Sequence, residues 1–200
     1  FFMVTGYFVL YKGTGVRRFL KKTAIIYAAS AALYLPINVY AGHLQGWGLL
    51  DLVQQVLFEG TFYHLWYLPA ALLGAWLTSL LMRMTSRGVC AAIVTALYVL
   101  GLLGDSYWGL IEGVPGVSSA YNALFALMGY TRNGLFFAPM FMFLGAEMRM
   151  SKRRGVGFEA AGLVLSFALM LAEALNARAQ GWQRHDSMYV LLPFVMYFLF

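Results

Sequence analysis

The chain has 200 residues, 62% of them hydrophobic and only 11% charged, with a formal net charge of +6. A soluble domain averages roughly 25% charged residues, so this surface carries too little charge to stay wet, and a soluble globular enzyme is excluded. The basic residues flank apolar runs instead of interleaving with aromatics, which excludes a nucleic-acid partner, and the lone Cys90 excludes an internal disulfide and a cysteine-based metal site.

A membrane-crossing helix needs about 20 mostly apolar residues. In chain order, residues 1–11 read as the tail of one span and 23–42 as a second with a kink at Pro36. Residues 62–82, 88–104, 133–148 and 156–177 follow, and 187–200 opens a last one. Phe1 and Phe200 both lie inside apolar runs, so both end helices are expected to be cut. The fold class is therefore all-α, a single polytopic transmembrane helix bundle over 1–200 with five whole spans and two truncated ones.

Between the second and third spans, Leu49, Leu52, Val53 and Val56 recur at helical spacing, and Asp51, Gln55 and Glu59 form the opposite face. That pattern predicts an amphipathic helix in the membrane interface. The connection 106–131 fits either another interfacial helix or a re-entrant segment.

Charge fixes the orientation. Eleven of the fourteen Lys and Arg residues fall at 12–22, 83–87 and 149–154, and the loops between them are neutral or acidic. Basic loops stay in the cytoplasm, so the chain is expected to be multi-pass in the cell membrane with these clusters inside. His43, His64 and His185 then lie toward the outer face.

Ionisable groups within or beside apolar runs point to function, because charge is costly in hydrocarbon. Glu159, Ser166 and Glu173 are seven apart and share a helix face. They form either one wall of a polar passage or two structural ion pairs at different depths. Arg132 and Asn133 open a short span on the outer side, against the charge bias, so Arg132 is expected to pair with Glu173 or Asp186 or to bind an anion. His64 sits among aromatics, as an interfacial residue or as a general base, and His185 with Asp186 precedes the last span. Arg132, Glu173 and His185-Asp186 are expected to converge near the outer boundary. The sequence has no phosphate-binding glycine loop and no paired-histidine zinc motif. All four lysines fall in the basic clusters, which leaves none for a buried Schiff base.

Several stretches together resemble the acyltransferase-3 family. Phe1-Phe2-Met3-Val4-Thr5-Gly6-Tyr7-Phe8 is similar to its second membrane helix, and Val16-Arg17-Arg18-Phe19-Leu20-Lys21-Lys22 to the basic loop after it. His64-Leu65-Trp66-Tyr67-Leu68-Pro69, Thr131-Arg132-Asn133-Gly134-Leu135-Phe136-Phe137 and Arg184-His185-Asp186-Ser187-Met188-Tyr189 resemble later stretches in the same order. The last two are most similar to the branch that includes the membrane half of vancomycin-resistance-type serine racemases.

The resemblance implies transfer of an acyl group, often acetyl, from cytoplasmic acyl-CoA to a cell-envelope sugar or another small acceptor. Acyl-CoA would be a substrate, with no resident cofactor. Arg17 and Arg18 would help hold the donor, with Glu159, Ser166 and Glu173 along the acyl path and His64 or His185 acting on the acceptor. The histidine on which the family's catalysis turns is expected in a helix ahead of this stretch. In the racemase branch the membrane half is linked instead to serine uptake, pyridoxal phosphate chemistry belonging to a separate soluble domain. Glu173, Arg132 and His185 would then grip a zwitterion by its two charged ends.

The charge pattern gives a direct test of orientation. A cysteine placed by Gln45→Cys is expected to label from outside intact cells, and one placed by Ser151→Cys only after permeabilisation. The reverse pattern would invert the topology.

Overall fold

Helix is the one open-ended backbone that satisfies its own hydrogen bonds in hydrocarbon, and regular structure among the described residues is helical throughout. The computed structural model describes residues 1–42, 48–61, 63–151 and 155–200, without the side chains of Leu49, Leu50, Tyr63 and His64. His43, Gln45 and the basic residues Lys152, Arg153 and Arg154 thus lie outside the described residues.

Helix α1 (Phe2–Thr5) continues as a π-helical turn, Gly6–Leu10, and α2 spans Val16–Tyr40. α3 (Leu49–Gln54) also loosens into a π-helical turn, Gln55–Glu59. A 3₁₀ turn, Tyr63–Trp66, leads into α4 (Tyr67–Met84), and α5 is Arg87–Leu103. The remaining helices are α6 (Val117–Met128), α7 (Ala138–Met150), α8 (Val156–Ala179) and α9 (Leu192–Leu199). Among the described residues α2, α4 and α8 are long and apolar enough to cross a membrane, and α5 and α6 are shorter apolar helices.

Two boundaries differ from expectation for physical reasons. α2 begins at Val16, directly after the turn where Gly13 takes φ +67°, and runs helically through Pro36. Arg17, Arg18, Lys21 and Lys22 therefore sit on the first turns of a helix and not in a loop. α7 begins only at Ala138, with Pro139 in its first turn. The preceding residues are held in an irregular turn because Asn133 Oδ1 accepts from the amides of Leu135 (2.8 Å) and Phe136 (3.1 Å). A side chain that takes backbone N–H groups competes with the helix for them. At 13 residues, α7 is about 20 Å long, short of the roughly 30 Å hydrocarbon layer.

α7 is nonetheless the hub, with contacts to α1 and its π-helical turn and to α4, α5 and α9. Small residues make this possible. Ala70, Ala71, Gly74, Ala75 and Thr78 of α4 are buried, and a Cβ on Gly74 would lie 2.6 Å from that of Ala138. At the crossing of α7 with the first helix, a Cβ on Gly6 would fall on the Met142 carbonyl oxygen, and one on Gly145 on that of Met3. Close backbone approach through small residues is the usual packing device between helices in a membrane. α2 rests on α4, and α8 on α9. Both turn large apolar side chains outward, among them Ile25, Leu33 and Ile37 of α2 and Val164, Leu165 and Leu175 of α8.

The basic clusters meet at one end of the bundle. Arg83 donates to the Gly13 carbonyl (2.9 Å), and Arg149 donates to Tyr7 Oη (2.9 Å) while covering the rings of Tyr7 and Tyr11. The amphipathic segment turns Gln55 and Glu59 of its polar face inward and leaves Asp51 exposed. Gln54 and Gln55 donate to the half-buried Glu59, while Leu52, Val53 and Leu57 are exposed.

The crossing at Gly145 sets the sign of a substitution. Gly→Ala in an open helix gains about 1 kcal/mol, whereas overpacking a tight contact costs about 1–3 kcal/mol. Gly145→Ala is therefore expected to lower the melting temperature in detergent. Gly157→Ala in α8, where a Cβ meets nothing within 4 Å, is expected to leave it unchanged or raise it.

Candidate functional site

The site assembles at the end of the bundle opposite the basic clusters. α5 ends at Gly104, and the next residue, Asp105, has 0% exposure, as does Ser106. Asp105 Oδ1 accepts from the backbone amides of Ser187 (2.8 Å) and Met188 (2.9 Å). The Ser106 hydroxyl lies 3.0 Å from the same oxygen and 3.2 Å from the His185 carbonyl, with one proton to share between them. The Asp105 carbonyl accepts from the amides of Arg184 (3.0 Å) and His185 (3.4 Å). One residue thus ties the whole loop 184–188 to the end of α5. Its other carboxylate oxygen, Oδ2, is buried without a partner among the described residues. Burial holds this carboxyl above the usual carboxylate range, opposed by the hydrogen bonds from Ser187, Ser106 and Met188 and by the charge of His185.

Glu173 fixes the next stretch of the same loop. Its Oε1 accepts from Tyr107 Oη (2.5 Å) and the Val190 amide (2.6 Å), and its Oε2 from the Leu191 amide (3.0 Å). These amides open α9, where free N–H groups favour a carboxylate. Burial first, then the hydrogen bond to Glu173 and its charge, push the Tyr107 hydroxyl well above its ordinary pKa.

Arg132 enters from the irregular turn before α7. Its Nη1 donates to Ser187 Oγ (3.2 Å), and its guanidinium stacks 4.4 Å from the centre of the Trp66 ring. Its Nε is buried and unpartnered among the described residues. The expected pairing with Glu173 is not what the structure builds, because Glu173 is taken up by Tyr107 and the start of α9. Asn133 has 1% exposure, and its amide nitrogen donates to the Tyr130 carbonyl (2.8 Å), so both ends of the side chain serve the turn that aims Arg132. The backbone of His64 lies in the turn that carries Trp66, and its side chain is outside the description.

His185 is half-buried against Tyr130, ring centres 4.5 Å apart. Burial, with Arg184 and Arg132 nearby, lowers its pKa below the ordinary value, against the opposing pull of Asp105 and Asp186. The balance favours the neutral imidazole. Asp186 is exposed. Arg184 turns away, donating to the Gly129 carbonyl (3.1 Å) and lying 3.6 Å over the Phe125 ring.

The structure thus brings Arg132, His185, Glu173 and Asp186 together on the 185–191 segment and leaves others apart. Ser166 is buried and donates within its own helix to the Leu163 carbonyl. The groove beside it, about 390 Å³, is walled by Phe158, Leu165, Leu169, Leu191, Phe194 and Phe198. It is an apolar groove, not the polar passage expected of this stripe. Glu159, half-buried, lies fourteen residues and about 21 Å along α8 from Glu173. Arg17 and Arg18 are exposed near the basic end. Sequence reasoning missed Asp105, Ser106 and Ser187. The available signal was a carboxylate directly after the apolar run 88–104.

The acyltransferase domain family, acyltransferase-3, matches residues 1–200. The chain belongs to this family. It is similar to an amino-acid racemase of Enterococcus faecalis, 40% identical over 197 residues that cover 96% of this chain and 28% of the relative. A second amino-acid racemase from that organism is 36% identical over 100% of this chain and 30% of the relative. A serine/alanine racemase of Enterococcus gallinarum is 37% identical, again over 100% of this chain and 30% of the relative. The chain therefore spans less than a third of the length of these relatives. No solved structure matches it.

Glu173→Gln would keep one acceptor but turn an NH₂ donor toward a backbone amide. Hydrogen bonds to charged groups contribute about 1.5–3 kcal/mol. Hydrogen exchange at residues 189–192 is expected to accelerate by about 10- to 150-fold, the factor to which that energy corresponds, while Glu112→Gln in the exposed 111–116 turn leaves it unchanged.

Proposed function

We propose that this acyltransferase-3 chain is the membrane part of an amino-acid racemase-type protein, and that it binds a small amino acid as a zwitterion at the Asp105–Arg132 end of the bundle. One observation carries the reading. Two groups of opposite charge type, the half-buried Arg132 and the fully buried Asp105, flank Ser187, and each keeps one buried atom, Nε and Oδ2, without a hydrogen-bond partner among the described residues.

A guanidinium presents a planar fork of donors that matches a carboxylate. Trp66, stacked on one face of Arg132, holds that fork in plane. The ammonium end of the ligand suits Asp105 Oδ2, an acceptor already lacking a donor. Neutral His185 offers a donor or acceptor to a side-chain hydroxyl, which suits serine, and the name of the Enterococcus gallinarum relative, serine/alanine racemase, agrees with a ligand of this size. The carboxylate role once expected of Glu173 passes to Asp105, since Glu173 is engaged at the start of α9. With the basic end in the cytoplasm of the cell membrane, this site faces outward and serves uptake. No racemisation step is assigned to the chain.

A second reading is acyl transfer, favoured by the family itself and by the exposed Arg17, Arg18, Lys21 and Lys22 on the first turns of α2. Helix N-termini and arginine forks both suit phosphate oxygens, so this corner would hold coenzyme A. His185 or His64 would take the proton of an acceptor hydroxyl, such as that of a cell-envelope sugar.

Equilibrium binding to the full protein separates the two. Labelled L-serine is expected to bind, and Arg132→Ala to weaken it by about 2–5 kcal/mol, the usual effect of removing one hydrogen-bonded charge from a binding interface. Arg17→Ala/Arg18→Ala should leave serine affinity unchanged. Binding of acetyl-CoA that needs Arg17 and Arg18, with no serine binding, would decide for acyl transfer.

A further inference from the structure

Asp105 is the feature of this end of the bundle least explained by packing. It is fully buried, Oδ1 accepts from two backbone amides and lies beside the Ser106 hydroxyl, and Oδ2 has no donor among the described residues. Its ionisable surroundings can be named element by element. From the loop 184–189, Arg184 and His185 approach through their backbone amides, while the Arg184 guanidinium is held at Gly129 and Phe125 and the imidazole at Tyr130. Asp186 of the same loop is exposed, and Tyr189 donates nothing to Asp105, its hydroxyl accepting from Gln183. From α5, Tyr98 donates to the Tyr189 carbonyl, and from the following loop Tyr107 donates to Glu173 of α8. From the turn before α7, Arg132 reaches Ser187.

No cation among these groups donates a side-chain hydrogen bond to Asp105 in the described structure. The donors on Oδ1 favour the anion, but complete burial opposes it, and the carboxylate of Glu173 adds a second negative charge to the same end. An unpaired carboxylate in such a place takes up a proton or a ligand's positive charge.

Resting on the zwitterion reading, we propose that Asp105 carries a proton on Oδ2 while the site is empty, and that the ammonium group of an arriving amino acid displaces it. The O–H bond breaks, the proton leaves to solvent, and a ligand N–H becomes the donor to Oδ2. The ligand's carboxylate meets Arg132, so the charge at Asp105 is balanced in both states. Binding and proton release are then one event. Acid weakens binding, by up to about tenfold per pH unit below the pKa of the empty site, and the dependence flattens above it. His185 would add a positive charge in acid as well, but it contributes no carboxyl signal, so infrared spectroscopy separates the two.

The test uses the full protein in lipid nanodiscs at neutral pH. Without ligand, the infrared spectrum is expected to show the carbonyl stretch of a protonated buried carboxyl that Asp105→Asn removes and Asp105→Glu moves. Saturating L-serine should bleach it, and calorimetry in two buffers of different ionisation enthalpy should count about one proton released per serine bound. Absence of an Asp105-dependent band overturns the proposal, as does a band that persists while serine binds. An Asp105-dependent band in a protein that binds no serine in either buffer overturns the amino-acid reading, and the exchange with it. If Asp105→Asn fails to fold, the shift in Asp105→Glu and the bleaching by serine in the unsubstituted protein carry the same decision.

Discussion

The end of this bundle opposite the basic clusters depends on one constraint, that a loop passing through a water-poor interior must find partners for its amides. Asp105 and Glu173 supply them. Asp105 takes four backbone amides, two through its carbonyl and two through Oδ1, and Glu173 takes the next two at Val190 and Leu191. Six of the eight positions 184–191 are thus held by two acidic residues from different elements. The loop can remain non-helical at this point only because α5 ends in an acid and α8 carries another within its last turns. The same clasp places Ser187 between Asp105 and Arg132, and so creates the geometry from which the functional reading follows.

The short hub helix is the second condition. α7 leaves room for the irregular turn 131–137, and that turn is covered by protein on the α4 side, where a Cβ on Gly134 would lie 2.8 Å from the Ala70 carbonyl oxygen. Thr131 donates to the Gly101 carbonyl (2.9 Å) and anchors its start. Irregular backbone within a membrane is tolerated where protein or a cavity lines it, and broken helices are where transporters build binding sites. Small residues on α4 and α7 do two things here. They let the helices approach, and they bring Trp66, at the mouth of α4, onto the face of Arg132.

The helical class, the alternation of basic and acidic ends and the grouping of Arg132, Glu173 and His185 were legible in the sequence, because hydropathy runs and charge clusters report solvent directly. Partners were not. Arg132 and Glu173 have opposite charge and face the same boundary, so sequence favours an ion pair. Which amides a carboxylate caps depends on the three-dimensional course of the loop, and the start of α9 reaches Glu173 first. Likewise, spacing put Glu159, Ser166 and Glu173 on one face correctly as geometry, but not the phenylalanines that α9 lays against it. Asp105 was visible only as a charge next to an apolar run, since burial of a loop residue leaves no periodic trace.

The arrangement around Ser187 argues against a purely structural role for Arg132 and Asp105. A site built only for stability would let the guanidinium and carboxylate meet, because a direct bidentate pair satisfies donors and acceptors on both. Instead the serine takes one contact from each, its amide donating to Asp105 and its hydroxyl accepting from Arg132. Each is left with one buried atom unsatisfied among the described residues, which is destabilising in isolation. Glu173, only a few residues away in the same network, shows that the fold can satisfy a carboxylate at both oxygens when it serves structure alone. Two carboxylates at one end, one complete and one incomplete, divide the labour. Glu173 holds the loop, and Asp105 holds the loop with one oxygen while keeping the other for a donor from outside the chain.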